Sequence, residues 1–126
     1  MNDSYAIVVA TVHDIMAARA RVRELARQKG LGLTDQARIS LATSSLADVL
    51  GLGTHRQGQI AINSVDEEER TGIRVICTAA RDAKRALTSA QLDVHQLLVD
   101  ELTIETLLSD DIQVTLTQWS TSRRKV

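Results

Sequence analysis

Four short runs rich in β-branched residues come in two pairs, and only a few polar residues separate the members of each pair. Residues 57–65 (QGQIAINSV) and 72–78 (GIRVICT) flank the acidic stretch DEEER, and residues 102–108 (LTIETLL) and 112–119 (IQVTLTQW) flank Ser109-Asp110-Asp111. Runs of this length and composition make strands, and connections this short join antiparallel neighbours. Ile73, Val75 and Cys77 alternate with Arg74 and Ile76, so one face of that strand is buried. A largely antiparallel sheet with one covered face is the constraint every other segment must satisfy.

The remaining segments supply the cover. Residues 5–12 (YAIVVATV) read as a further strand. Over residues 14–29, Ile15, Ala18, Val22, Leu25 and Ala26 form one apolar stripe, which Arg19, Arg21, Arg23, Arg27 and Lys29 largely avoid; that is the spacing of an amphipathic helix. Gly30 is placed to end it, with cations in the last turn. Thr34 is the expected N-cap of a second helix, with Asp35 in its first turn and a stripe of Ile39, Ala42, Leu46, Val49 and Leu50; Gly51 and Gly53 end it. Residues 79–87 and 90–98 read as helical, with Ser89 as the N-cap between them. The order β-α-α-β-β-α(α)-β-β predicts a two-layer α+β sandwich, a mixed and mostly antiparallel sheet with helices on one face. Residues 1–120 read as one domain and residues 121–126 as a flexible basic tail.

Composition narrows the function. A formal net charge of -1 provides no field to attract nucleic acid. With no Phe, and with Tyr5 and Trp119 as the only aromatic residues, no stacking platform for bases exists and the core must be aliphatic. One cysteine excludes an intramolecular disulfide and fits a reducing, cytoplasmic setting. No apolar run has the roughly 20 residues a membrane helix needs, and the N-terminus lacks the basic n-region of a signal peptide.

Three stretches carry a resemblance. TDQARI (34–39), GQIAI (58–62) and GIRV (72–75), in this order and on these elements, resemble the anti-sigma-factor serine/threonine kinases of bacterial partner-switching systems, within the histidine-kinase-like (Bergerat, GHKL) ATPase superfamily. The resemblance covers nearly the whole chain. It implies an α/β sandwich that holds ATP and Mg²⁺ beneath a glycine-rich lid. It implies partners as well, an antagonist domain or a component of a sigma-factor pathway, together with self-association as a homodimer.

The pocket chemistry that the resemblance implies is not what this sequence carries. The family's second helix has a Glu that positions the attacking group and, four residues on, an Asn that holds Mg²⁺. In SSLADVL (44–50) those positions fall on Ser45 and Val49. Serine is a poor general base at its free pKa, and valine has no oxygen for a hard cation. Asp48 stands one residue early, turned by about 100° on a helix. The family's adenine-binding Asp and its two glycines after GIRV fall on Ala79, Arg81 and Ala83 of CTAARDA (77–83), with Asp82 either a displaced acid or, more simply, an acid favoured at a helix N-terminus. No glycine occurs between Cys77 and Leu98, a segment shorter than the family's by about one lid that reads as continuous helix; a phosphate cradle needs backbone N–H groups freed by glycine turns. Ser45, Asp48, Val49, Ala79, Arg81 and Asp82 are thus expected to line a vestigial nucleotide pocket with no catalytic residue.

Other features read more plainly. His13, His55 and His95 have no ligand spacing and are expected at the surface, so no metal site is expected. Cys77 is in phase with Ile73 and Val75 and should be a buried hydrophobe. GLGTHRQG (51–58) follows a helix, the wrong side for a phosphate loop, and reads as a connector. Arg19, Arg23 and Arg27 share a helix face that either meets an acidic partner or is merely solvated. The expectation is a non-catalytic regulator acting through protein–protein contact, without cofactor, nucleic acid or membrane. The alternative is a divergent kinase that still binds ATP and Mg²⁺, with Asp48 and Asp82 replacing the lost acids.

Overall fold

The computed structural model describes residues 4–120, so the proposed tail at 121–126 lies outside the described residues. β1 (Tyr5–Val9) leads into two long helices, α1 (Val12–Gln28) and α2 (Leu33–Val49). The hairpin of β2 (Gly58–Glu67) and β3 (Arg70–Ala79) follows, then a 3₁₀ turn over Arg81–Ala86, α3 (Ser89–Leu98) and the hairpin of β4 (Glu101–Thr106) and β5 (Ile112–Trp119). The five strands order as β1-β2-β3-β5-β4. Among the described residues every strand pairing in the sheet is antiparallel, where a mixed, mostly antiparallel sheet is expected.

Register explains the core. Ile7, Ile60, Cys77, Val114 and Ile104 form one row across the five strands, and Tyr5, Ile62, Val75, Leu116 and Leu102 the next. These rows face the helices, which return Ile15, Ala18, Val22, Ile39, Ala42 and Leu46 to the same core. α1 lies over β1, β2 and β3, α2 over β3 and β5, and α3 over β4, so the helical layer runs α1–α2–α3. The opposite face presents Ala6, Ala61, Ile76, Thr115 and Thr103 in one row and Val8, Gln59, Thr78, Gln113 and Glu105 in another.

Helix ends follow local chemistry, with some shifts from expectation. β1 stops at Val9 rather than residue 12, because the Asp14 carboxylate accepts the backbone N–H groups of Ala10 and Thr11 at 2.8 and 3.0 Å and fixes the start of α1. These bonds hold the Asp14 carboxyl below the usual carboxylate range. α1 ends as predicted at Gly30, whose φ of +84° suits glycine, and the Leu31 N–H closes on the Ala26 carbonyl at 3.0 Å. α2 ends the same way, with Gly51 at φ +75° and the Leu52 N–H on Ala47.

The N-caps differ. Gly32 rather than Thr34 precedes α2, placing Thr34 inside the first turn. Thr88 rather than Ser89 caps α3, its hydroxyl accepting the Gln91 N–H at 3.2 Å. Residues 79–87 are not an α-helix: Ala79 is the last residue of β3, paired with Gly58 and Ile112, and only a 3₁₀ turn follows. The segment from Cys77 to Leu98 is therefore strand, 3₁₀ turn and helix, not one continuous helix. Both hairpins form, the first so tight that Glu67 pairs with Arg70.

Candidate functional site

The positions singled out for a nucleotide pocket lie on the second half of α2, the end of β3 and the 3₁₀ turn, with α3 beside them. α3 runs opposite to α2. His95 meets Ser45, while Asp100, just past the end of α3, donates its N–H to Gln118, which in turn reaches Asp35 in the first turn of α2.

Ser45 is half-buried and bonded to a residue expected at the surface. His95 is almost wholly enclosed. Its Nδ1 lies 2.7 Å from the Gln91 carbonyl oxygen and its Nε2 2.9 Å from Ser45 Oγ. A carbonyl can only accept, so Nδ1 carries the hydrogen, and in the neutral ring Nε2 accepts the Ser45 hydroxyl. The expectation of three surface histidines therefore fails for His95, whereas His13 and His55 are exposed. The signal was present: His95 falls on the inner face of α3, in helical phase with Leu98 and Val99.

The other pocket positions are dispersed. Asp48 is exposed, and Val49 is half-buried rather than in the core stripe. Ala79 is buried in the sheet row with Gly58 and Ile112. Arg81 points to solvent, 4.0 Å from Asp110, a separation worth little at the surface. Asp82 accepts from Arg56 Nη2 at 3.3 Å, while Arg56 Nη1 donates to the Leu50 carbonyl at the end of α2. Arg56 thus ties the end of α2 to the 3₁₀ turn, and nothing in the motif pattern marks it. The connector reading of residues 51–58 stands: Gly51 O accepts the N–H groups of Thr54, His55 and Arg56.

The position for a positioning carboxylate holds a hydroxyl given to His95, the cation position an alkyl group, and the adenine position a methyl group in the sheet. Among the described residues no three His, Cys, Asp or Glu side chains gather as a metal site. Burial pushes the Cys77 thiol up to about 12, so it is no nucleophile near neutral pH.

The three arginines of α1 are not equivalent. Arg19 is half-buried and donates to Ser44 Oγ at 3.3 Å, bracing α1 against α2. Arg27 is exposed and grips Glu24 at 3.1 and 2.5 Å, which, with Gln28, holds the Glu24 carboxyl below its usual range. Arg23 is exposed.

A second polar cluster closes the far end of α2 and escaped the sequence reading. Gln118, fully buried, donates to Asp35 at 3.0 Å. Asp100 accepts the Trp119 N–H at 2.8 Å, and the Trp119 indole donates to Glu101 at 2.9 Å beneath the Arg70 guanidinium, 3.7 Å from the ring centroid.

No family model matches the chain. Over 76 residues it is 40% identical to the serine/threonine-protein kinase RsbT of Bacillus subtilis (strain 168), a stretch covering 60% of this chain and 56% of RsbT. The chain thus matches little more than half the length of that relative. The fold superposes on the crystal structure of the RsbU and RsbW domains of Rv1364c from Mycobacterium tuberculosis with a TM-score of 0.62, covering 98% of this chain and 34% of that one at 21% identity. The resemblance read from TDQARI, GQIAI and GIRV is borne out: the sequence is related to RsbT, and the fold is shared with that solved structure.

Proposed function

We propose that this chain is a non-catalytic regulator of the anti-sigma-factor, partner-switching type, working through protein–protein contact in the bacterial cytoplasm. It binds an antagonist domain or a component of a sigma-factor pathway, and takes neither nucleotide nor metal. The observation that carries this reading is the Ser45–His95 hydrogen bond. If Ser45 stands at the family's carboxylate position, as the resemblance implies, its hydroxyl is already committed to His95, which supports a site without phosphoryl transfer. The likeness to RsbT supports the pathway. Arg23 and Arg27, exposed on α1, are the cations offered to an acidic partner; Arg19 supports the same face from its contact with Ser44.

One observation favours a second reading. The relative at 40% identity is named a serine/threonine-protein kinase, and under that reading ATP and Mg²⁺ bind with Asp48 and Asp82 as substitute acids. Asp82, however, is engaged by Arg56.

Thermal unfolding with and without Mg-ATP and Mg-ADP separates the two. A ligand at 100 times its Kd stabilises by about 2.7 kcal/mol, which raises the midpoint of a domain this size by about 10 °C. The expected outcome is no shift at millimolar nucleotide. A clear shift moves the kinase reading to first place.

A further inference from the structure

The sheet has two margins, β1 and β4, and β4 is the one left unfinished. Its backbone comes first. The Leu107 N–H closes on the Asp111 carbonyl at 2.8 Å, two positions beyond the pairing of Glu105 with Gln113. Bonded pairs alternate along an antiparallel ladder. Glu101, Thr103 and Glu105 therefore bond to β5, while the N–H and C=O groups of Leu102, Ile104 and Thr106 are directed away from it, along the open margin. The register runs unbroken through the strand, and neither proline nor glycine interrupts it. Such a row is a template for one more strand.

The side chains beside that row are also incompletely covered. Leu116 and Val114 are fully buried, but Leu102 and Ile104, which pair with them in the same two rows, are only half-buried. α3, the helix over β4, is ten residues long and leaves the core open at this margin. Exposed apolar residues border it: Val94 and Leu97 on α3, 51% and 79% accessible, and Leu108 just past β4, wholly exposed. Apolar surface gathered in one place marks a contact surface.

Charge along this part of the chain has one sign. Residues 86–122 contain no lysine or arginine but include Asp93, Asp100, Glu101, Glu105, Asp110 and Asp111. On β4, Thr103 and Glu105 lie on the helix-free face and are exposed, and Glu105 has no ion-pair partner among the described residues. β1, the other margin, carries no charged residue with which to select a partner.

We propose that the β4 margin is a docking site for an extended segment of a partner protein, added as a further strand, in which apolar residues alternate with lysine or arginine. Its backbone pairs with the N–H and C=O groups of Leu102, Ile104 and Thr106. Its apolar side chains complete the cover of Leu102 and Ile104 beneath α3, and its cations lie beside Glu105 on the helix-free face. The two-residue period of a strand delivers both sets at once. A helix has no free backbone groups to offer the open row, and an acidic segment would set like charges side by side. This margin is distinct from the basic face of α1 and does not rest on it: that face fits an acidic partner, this one a basic segment.

Fluorescence anisotropy with the full chain tests the proposal. The probe is a capped, labelled peptide of alternating valine and lysine, as long as β4. The expected result is saturable binding with a Kd of about 100 μM or below, weakened by salt. Glu105→Lys, at an exposed position, weakens binding about fivefold or more, and a peptide of alternating valine and glutamate binds that variant better than it binds the unaltered chain. Two further peptides carry backbone N-methyl groups, one on its valines and the other on its lysines. Only one of these sets of N–H groups faces β4 in an added strand, so one peptide loses binding and the other keeps it. Absence of saturable binding overturns the proposal, as does indifference to Glu105→Lys. Equal behaviour of the two N-methylated peptides overturns it as well, because attraction by charge alone does not tell them apart.

Discussion

Gly53 shows what a single residue can decide. Its φ is +80°, and a Cβ placed on it would lie 2.8 Å from both the carbonyl carbon and the carbonyl oxygen of Thr11. Backbone rather than a flexible side chain is in the way, so the connector after α2 packs directly on the start of α1. Gly53→Ala should therefore destabilise by about 2 kcal/mol, combining positive-φ strain with a displaced backbone; urea unfolding would show a lower midpoint at unchanged slope. A loss within a few tenths of a kcal/mol would mean the loop moves away freely. The sequence marks Gly53 as a breaker of α2, which it is. It cannot mark the contact with Thr11, because two backbones approaching across 42 positions leave no trace in residue type.

Among the elements, α3 has the most specific docking. Its inner face is short, and the Ser45–His95 hydrogen bond is its polar tie to α2. Ser45→Ala leaves His95 Nε2 enclosed without that donor, which costs about 1–3 kcal/mol. The loss should be local: amide exchange of residues 89–98 should accelerate more than that of β2 and β3. Equal acceleration throughout would show that α3 does not open separately. The elements themselves were largely legible. Alternating Ile73, Val75 and Cys77 and the five stripe residues of α1 all point inward as read. Residues 79–87 were misread because alanines and basic residues suit a helix, while the pairing of Ala79 with Gly58 and Ile112 is non-local. The sequence reads His95 as a surface histidine and Asp35 as a first-turn acid and gives Gln118 no role, because polar residues are buried only where the tertiary fold supplies partners.

For the molecule as a whole, Cys77 is a built-in reporter. It is the single cysteine of the chain and sits fully buried in the central strand, so no fraying of an edge exposes it. Labelling by an aromatic disulfide reagent should proceed only through global unfolding. The free energy from labelling rates should match that from denaturant melts; a markedly smaller value would reveal a partial opening of β3.

The strand order also bears on how the chain is made. Among the five described strands β5 leaves a ribosome last, yet it lies not at the margin of the sheet but between β3 and β4. Until residues 112–119 emerge, β3 keeps a bare edge and β4 has no neighbour to pair with. The buried bond from Gln118 to Asp35 spans 83 positions and also awaits that strand. The growing polypeptide can coil α1 and α2 and zip the β2–β3 hairpin early, yet the sheet is completed only when β5 slots into its middle. Synthesis thus leaves the keystone for last, and a translating ribosome that stalls short of it would hold a half-built sheet with its centre open.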